Sequence, residues 1–119
     1  MADAPAPDFD AQRGVLIMGS VDTLRQLLPA VVDSLSADLL AIDAALSIND
    51  MGRVRVLLHG IKGTVPLFCS DALVAQVGDT DALSKTATAA EIAPVYARLA
   101  PRLQAVLVQV KAYLAGPQY

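Results

Sequence analysis

The segment VRVLLHGIKGTV, residues 54–65, holds the one histidine of the 119-residue chain, His59. Lys62 follows it by three residues, Gly63 by four, and Arg55 precedes it by four. Residues three and four apart are neighbours on a helix surface. The imidazole and the two cations therefore share one ridge. That grouping suits a nucleophilic histidine: a ring nitrogen attacks phosphorus while Lys62 and Arg55 steady the transferred oxygens. Glycine inside a helix costs about 1 kcal/mol relative to alanine, yet this segment carries Gly60 and Gly63. A missing side chain beside an exposed ring lets a second molecule come close. Gly63 is read as that opening and Gly60 as part of the docking surface.

The element that must position these groups is an amphipathic helix. Val54, Leu57, Leu58, Ile61, Val65 and Phe68 form an apolar stripe that predicts a helix from about Asp50 to Phe68. At 100° per residue, His59 falls roughly 140° from the stripe centre, Arg55 roughly 100°, Lys62 roughly 80° and Gly63 roughly 180°. The imidazole is expected to face solvent. Pro66 lacks an N–H, so the Lys62 carbonyl loses its helical partner and the last turn should be disturbed.

Similar patterns place the other helices. Asp10 to Met18 predicts a short first helix ended by Gly19. Ser20 then caps a long second helix with a stripe from Leu24 to Leu46, expected to kink at Pro29. Ser70 to Lys85 predicts a fourth helix with Leu73, Val77 and Leu83 inward. Thr88 and Glu91 have capping-box spacing ahead of a fifth helix. Its stripe includes Ile92, Val95, Leu99, Leu103, Val106, Val110 and Leu114. Pro94 suits a first turn and Pro101 should kink the helix. No segment alternates polar and apolar residues for long. The expected fold is all-α: an antiparallel up-and-down four-helix bundle with a short additional N-terminal helix, over residues 10–115. Residues 1–9, rich in Pro and Ala, read as a disordered tail or linker, and 116–119 as a second tail.

Composition narrows the function. A net charge of -3 argues against a basic nucleic-acid surface. A single cysteine excludes an internal disulfide and points to a reducing, cytoplasmic setting. One His and one Cys make a zinc site improbable. No apolar run approaches the length of a membrane span. Cys69 lies ten residues beyond His59, too far along one helix to pair with it, and reads as a small buried apolar residue. Asp79 and Asp81 in GDTD lack the rest of a calcium pattern and read as a solvated helix face. Tyr96 and Tyr113 read as half-buried packing residues.

HGIKG resembles the H-x-x-K-G signature of histidine-containing phosphotransfer (HPt) domains. LLHGIKGTVPLFCSDAL resembles the family's motif helix and the start of the next. FDAQRGVLIMGSVDTLRQLL resembles its leading segment, and the likeness spans about residues 9–114. It implies that His59 is the phosphoacceptor, that Lys62 holds the phosphoryl group and that Gly63 keeps the approach open. It also implies transfer between receiver-domain aspartates in a phosphorelay, without a nucleotide site or a kinase activity of the chain's own. The implied partners are response-regulator receivers and a sensor histidine kinase. The implied Mg²⁺ belongs to the receiver, and this chain is expected to need no cofactor and to be a monomer. The Pro/Ala start and short tail suit the C-terminal module of a hybrid sensor kinase. Val65, Pro66 and Phe68 depart from the small residues usual after the motif, which bears on which receiver is recognised. The competing expectation is a non-catalytic helical adaptor that docks partners through the same face and needs no histidine chemistry.

Overall fold

The computed structural model describes residues 7–116. The outer parts of both proposed tails, 1–6 and 117–119, lie outside that range. Five α-helices follow one another: α1 (Ala11–Met18), α2 (Val21–Ser47), α3 (Met51–Thr64), α4 (Asp71–Ser84) and α5 (Ala89–Ala115). A 3-10 turn spans Val65–Leu67. No strand occurs among the described residues; an isolated β-bridge pairs Phe9 with Cys69.

Every helix starts on a side-chain cap. Asp10, Ser20, Asp50, Ser70 and Thr88 each accept a hydrogen bond from the backbone N–H three residues on. Such a cap contributes about 1 kcal/mol. Thr88 and Glu91 complete a reciprocal capping box. Gly19, at φ 92°, closes α1 in the left-handed conformation that glycine adopts without a steric penalty.

The prolines behave in two ways. Both long helices run on through Pro29, Pro94 and Pro101. Pro94 is thus the sixth residue of α5, not part of a first turn. All three prolines are exposed. A proline frees the carbonyl four residues back on its own face, and here that face meets water, which supplies the lost bond. Pro66 differs. The α-helix stops at Thr64, four residues earlier than the apolar stripe suggests, and the chain tightens into the 3-10 turn. Phe68 and Cys69 still reach the core, because that turn carries them inward.

The helices close on one another in a cycle: α2 packs on α3, α3 on α4, α4 on α5 and α5 on α2. Arg25 near the start of α2 donates to the Tyr113 and Leu114 carbonyls at the end of α5. Tyr96 near the start of α5 donates to Leu39 further along α2. These two helices therefore run in opposite directions. Arg25 also lies 5.2 Å from the Tyr113 ring centroid, a cation–π contact at the end of α5. Tyr96 is fully buried rather than half-buried, and burial pushes its phenol well above the ordinary value.

The core is aliphatic and follows three- and four-residue spacing. Leu24, Leu28, Val31, Leu35, Leu39 and Ile42 line α2, and Ile92, Leu99, Leu103, Val106 and Val110 line α5. Leu27, Leu46, Leu57, Val95 and Leu114 sit at the stripe edges and are only partly buried. On α4 the inward face is Leu73, Val77, Thr80, Asp81 and Ser84. Leu83, expected inside, is 39% exposed. The register explains this: Leu83 falls roughly 100° from the centre of that face and Asp81 roughly 60°.

α1 lies against α2 through Gly14, where an added Cβ would come within 2.7 Å of Leu24 Cδ1 and 2.9 Å of Cδ2. Leu24 is wholly buried and has no room to retreat. Gly14→Val is expected to cost about 1–3 kcal/mol through overpacking. The thermal midpoint measures it, and an unchanged midpoint would mean that α1 lifts away freely.

The first described residues correct the expectation of a loose tail reaching residue 9. Phe9 is buried and stacks edge-on against Phe68 and Tyr113, with centroids 6.2 and 5.5 Å away. The Phe9 N–H donates to Gln109 and the Ser70 N–H to the Asp8 carbonyl. The Asp8 carboxylate receives two bonds from Arg102, at 2.7 and 3.0 Å, and one from Ser70. Together these form a strap across the start of α4 and the middle of α5. Sequence composition missed it because two prolines and three alanines among residues 1–9 mask one aromatic anchor. Arg102 holds the Asp8 carboxyl below its usual range. The depressed folded-state value means that this stability is present above the unfolded pKa and is lost as pH falls through the folded one. Asp8→Asn should flatten the acid limb of a stability–pH curve below about pH 4; an acid limb as steep as wild type would remove Asp8 from that role.

Candidate functional site

α3 offers two different surfaces. Val54, Leu58 and Ile61 turn inward, with Leu57 beside them. His59 lies outward, its side chain 70% exposed, as the helical angles require. Gly60 and Gly63 have nothing within 4 Å of where a Cβ would stand, so they leave open space beside the ring. Val56 shares that outer face and is 71% exposed. α3 contains Arg53, Arg55 and Lys62 and no acidic residue. Arg55 and Lys62 lie toward α4 beside the ring, while Arg53 falls on the opposite flank, near Asp38 of α2.

The neighbouring helix α4 runs opposite to α3. Arg55 meets Ser84, and His59 meets Asp81. Asp81 is 1% exposed, and its Oδ2 lies beneath the histidine. That oxygen is 3.6 Å from His59 Nδ1, 3.7 Å from Lys62 Nζ and 4.0 Å from Lys85 Nζ. It has no hydrogen-bond partner among the described residues. These separations exceed hydrogen-bond length, so the contacts are ionic and directional only through charge. Of the two ring nitrogens, Nδ1 is the one that lies toward the buried carboxylate. A depression of about 300 Å³ opens beside the ring, lined by Arg55, Val56, His59, Asp81 and Lys85.

Asp81 corrects the reading of GDTD as a solvated face. It faces the core side of α4 while Asp79 is exposed. The signal was present in the sequence. Leu73, Val77, Thr80, Asp81 and Ser84 keep helical spacing, but a search for apolar residues passes over the last three. Arg55 is also placed differently from the simple ridge picture. Its Nε donates to the Ser84 carbonyl at 2.8 Å, satisfying an orphan acceptor in the last turn of α4. It borders the depression, yet part of its guanidinium is already engaged. Lys85, at the end of α4, is the cation that sequence spacing on α3 alone does not reveal.

Cys69 is wholly buried behind the strap, and burial pushes its thiol up to about 12, with the Asp8 charge adding to the effect. It is a protonated packing residue, not a nucleophile. No group of three or more His, Cys, Asp or Glu able to hold a metal occurs among the described residues. No helix there is long and apolar enough to cross a membrane.

Comparison with protein-family models, with curated proteins and with solved structures yields no match. The chemistry of the site therefore rests on its geometry. An exposed imidazole, backed by a buried carboxylate and flanked by ammonium groups, has the chemistry of a nucleophile toward an electron-poor, anionic centre.

Proposed function

We propose that this chain is a phosphorelay intermediate that accepts a phosphoryl group on His59 from a receiver-domain aspartate and passes it to another. The observation that carries the reading is the orientation of His59, with Nδ1 3.6 Å from a carboxylate oxygen that is itself 1% exposed. That contact favours the tautomer protonated on Nδ1 and leaves the Nε2 lone pair outward. The cycle α2–α3–α4–α5 is taken as an antiparallel four-helix bundle with α1 as the additional helix. This is the architecture that the resemblance to phosphotransfer domains leads one to expect.

In the forward step Nε2 attacks the phosphorus of an aspartyl phosphate. The N–P bond forms, the P–O bond to the aspartate breaks, and that carboxylate leaves with the electron pair. The ring keeps its Nδ1 proton and becomes cationic, with Asp81 opposite the new charge. Lys62 approaches the transferred oxygens. The reverse sequence returns the group to an aspartate. Neither partner draws on a nucleotide, so transfer runs in both directions. The cations beside the ring, Arg55, Lys62 and Lys85, attract an acidic docking surface and speed encounter. The open strip at Gly60 and Gly63, with Val56 beside it, admits the partner's backbone closely.

The test is to mix the protein with phosphorylated receivers and Mg²⁺, the metal serving the receiver's aspartate site. The expected result is one phosphoryl group per chain, on Nε2 of His59, with none from ATP alone. Failure of every receiver to label the protein, with docking intact, would favour a non-catalytic adaptor on the same face.

Gly63 supplies a separate check. Gly63→Leu fills open space on an exposed helix face, so the fold should gain up to about 1 kcal/mol from helix propensity. Receiver docking should weaken at the same time, read as a higher KM for the phosphorylated receiver. A protein that unfolds instead would assign Gly63 to internal packing.

A further inference from the structure

Resting on that reading, we propose that Lys85, delivered from α4, is a second phosphoryl-binding cation. Asp81 is the anion that stores it, together with Lys62, beside the ring until the phosphoryl group arrives. The ordinary role for Lys85 is a surface pair with Asp81 one turn earlier in α4, which accounts for the 4.0 Å separation by itself. It does not account for the rest of the arrangement. One carboxylate oxygen, buried and without a hydrogen bond, gathers three cationic or protonatable nitrogens from two helices. Burying such an oxygen without a donor is costly. A neutral packing residue would avoid that cost, so the buried charge points to a role beyond packing.

The two lysines are unlike the imidazole in reach. Their side chains are 48% and 60% exposed, and each ammonium ends a flexible four-carbon stem. Neither is fixed to Asp81 at hydrogen-bond distance. A phosphoryl group on Nε2 carries about two negative charges and stands at the mouth of the depression that Lys85 borders. It outcompetes one carboxylate oxygen for both ammoniums, which move outward by rotating their stems. Asp81 is then left facing the Nδ1 proton alone. Arg55 cannot serve in the same way, because its Nε is committed to the Ser84 carbonyl.

The test uses a chemical phosphoryl donor and needs no partner protein. Potassium phosphoramidate transfers its phosphoryl group to Nε2: the N–P bond to the ring forms, the donor's own P–N bond breaks, and ammonia leaves with that electron pair. His59 is the chain's one histidine, so the mass gain of the intact protein reads a single site. Lys85→Ala is expected to slow labelling about tenfold, less than the loss of an enclosed oxyanion donor because this lysine is half in water. Lys62→Ala should slow it comparably. Lys85→Arg should restore most of the rate, and added salt should slow the wild type more than Lys85→Ala. The thermal midpoint of Lys85→Ala should stay at the wild-type value. Labelling of Lys85→Ala at the wild-type rate would overturn the proposal. So would a slower rate accompanied by a lowered midpoint that Lys85→Arg does not recover. If receivers fail to label the wild type but these chemical rates still differ, the relay reading falls and the anion-binding role of Lys85 stands.

Discussion

His59→Gln is expected to abolish phosphoryl acceptance completely while leaving the fold and receiver docking unchanged. The chain has no second histidine to take over. Its one cysteine is buried and protonated, so it offers no alternative acceptor. Glutamine keeps a polar side chain of similar reach but has no nitrogen lone pair able to attack phosphorus. The imidazole is 70% exposed, and surface substitutions of this kind stay within about 0.5 kcal/mol of wild type. A phosphoryl group on a histidine nitrogen is a phosphoramidate, so the expected wild-type adduct should be lost in acid and survive base, the reverse of an aspartyl phosphate. Radiolabel from a phosphorylated receiver, chased through both treatments, measures this directly. Label that persists in His59→Gln would remove His59 from the mechanism.

Asp81→Asn should separate activity from stability. In the proposed transfer, positive charge develops on the ring as Nε2 bonds to phosphorus, and a carboxylate 3.6 Å from Nδ1 would stabilise it. Asparagine keeps the shape and removes the charge. Its amide can also present an N–H to Nδ1, which favours the wrong tautomer. In a serine-protease triad the same exchange beside a hydrogen-bonded histidine lowers kcat by about 10⁴. The contact here is longer and the ring is open to water, so a loss of about 10- to 100-fold in transfer rate is expected. The thermal midpoint should hold or rise, because a buried oxygen without a hydrogen bond no longer has to carry a charge. Transfer at the wild-type rate would sink the orienting role. A large fall in the midpoint would instead make Asp81 a structural ion partner.

These two residues differ in how far the sequence discloses them. His59, Lys62 and Gly63 can be placed from helical angles alone, because all three lie on one element with an unambiguous apolar stripe. The all-helical fold is legible for the same reason. The caps Asp10, Ser20, Ser70 and Thr88 act within three residues of themselves, and the stripes of α2 and α5 are long. Asp81 and Lys85 belong to a second helix, and their part in the site depends on how α4 is rotated against α3. That rotation is set by a face of which three residues are polar, Thr80, Asp81 and Ser84. Hydrophobic periodicity therefore pointed to Leu83, which lies outside. The strap escaped for a different reason. Asp8 and Phe9 are held by residues 59 to 104 positions away, among them Phe68, Ser70, Arg102 and Tyr113. No local pattern reports such contacts.

The strap also gives the protein a built-in clock. Phe9 pairs with Cys69 across the β-bridge, and the thiol beneath is wholly shielded from solvent. A thiol reagent can reach it only when that corner opens. The labelling half-life of Cys69 therefore times the opening of the first ordered residues. Asp8→Asn or a chain begun at residue 10 should run that clock faster. The same measurement made on free and phosphorylated protein would show, from a single sulfur atom, whether modification at His59 is felt at the far end of the α3 segment.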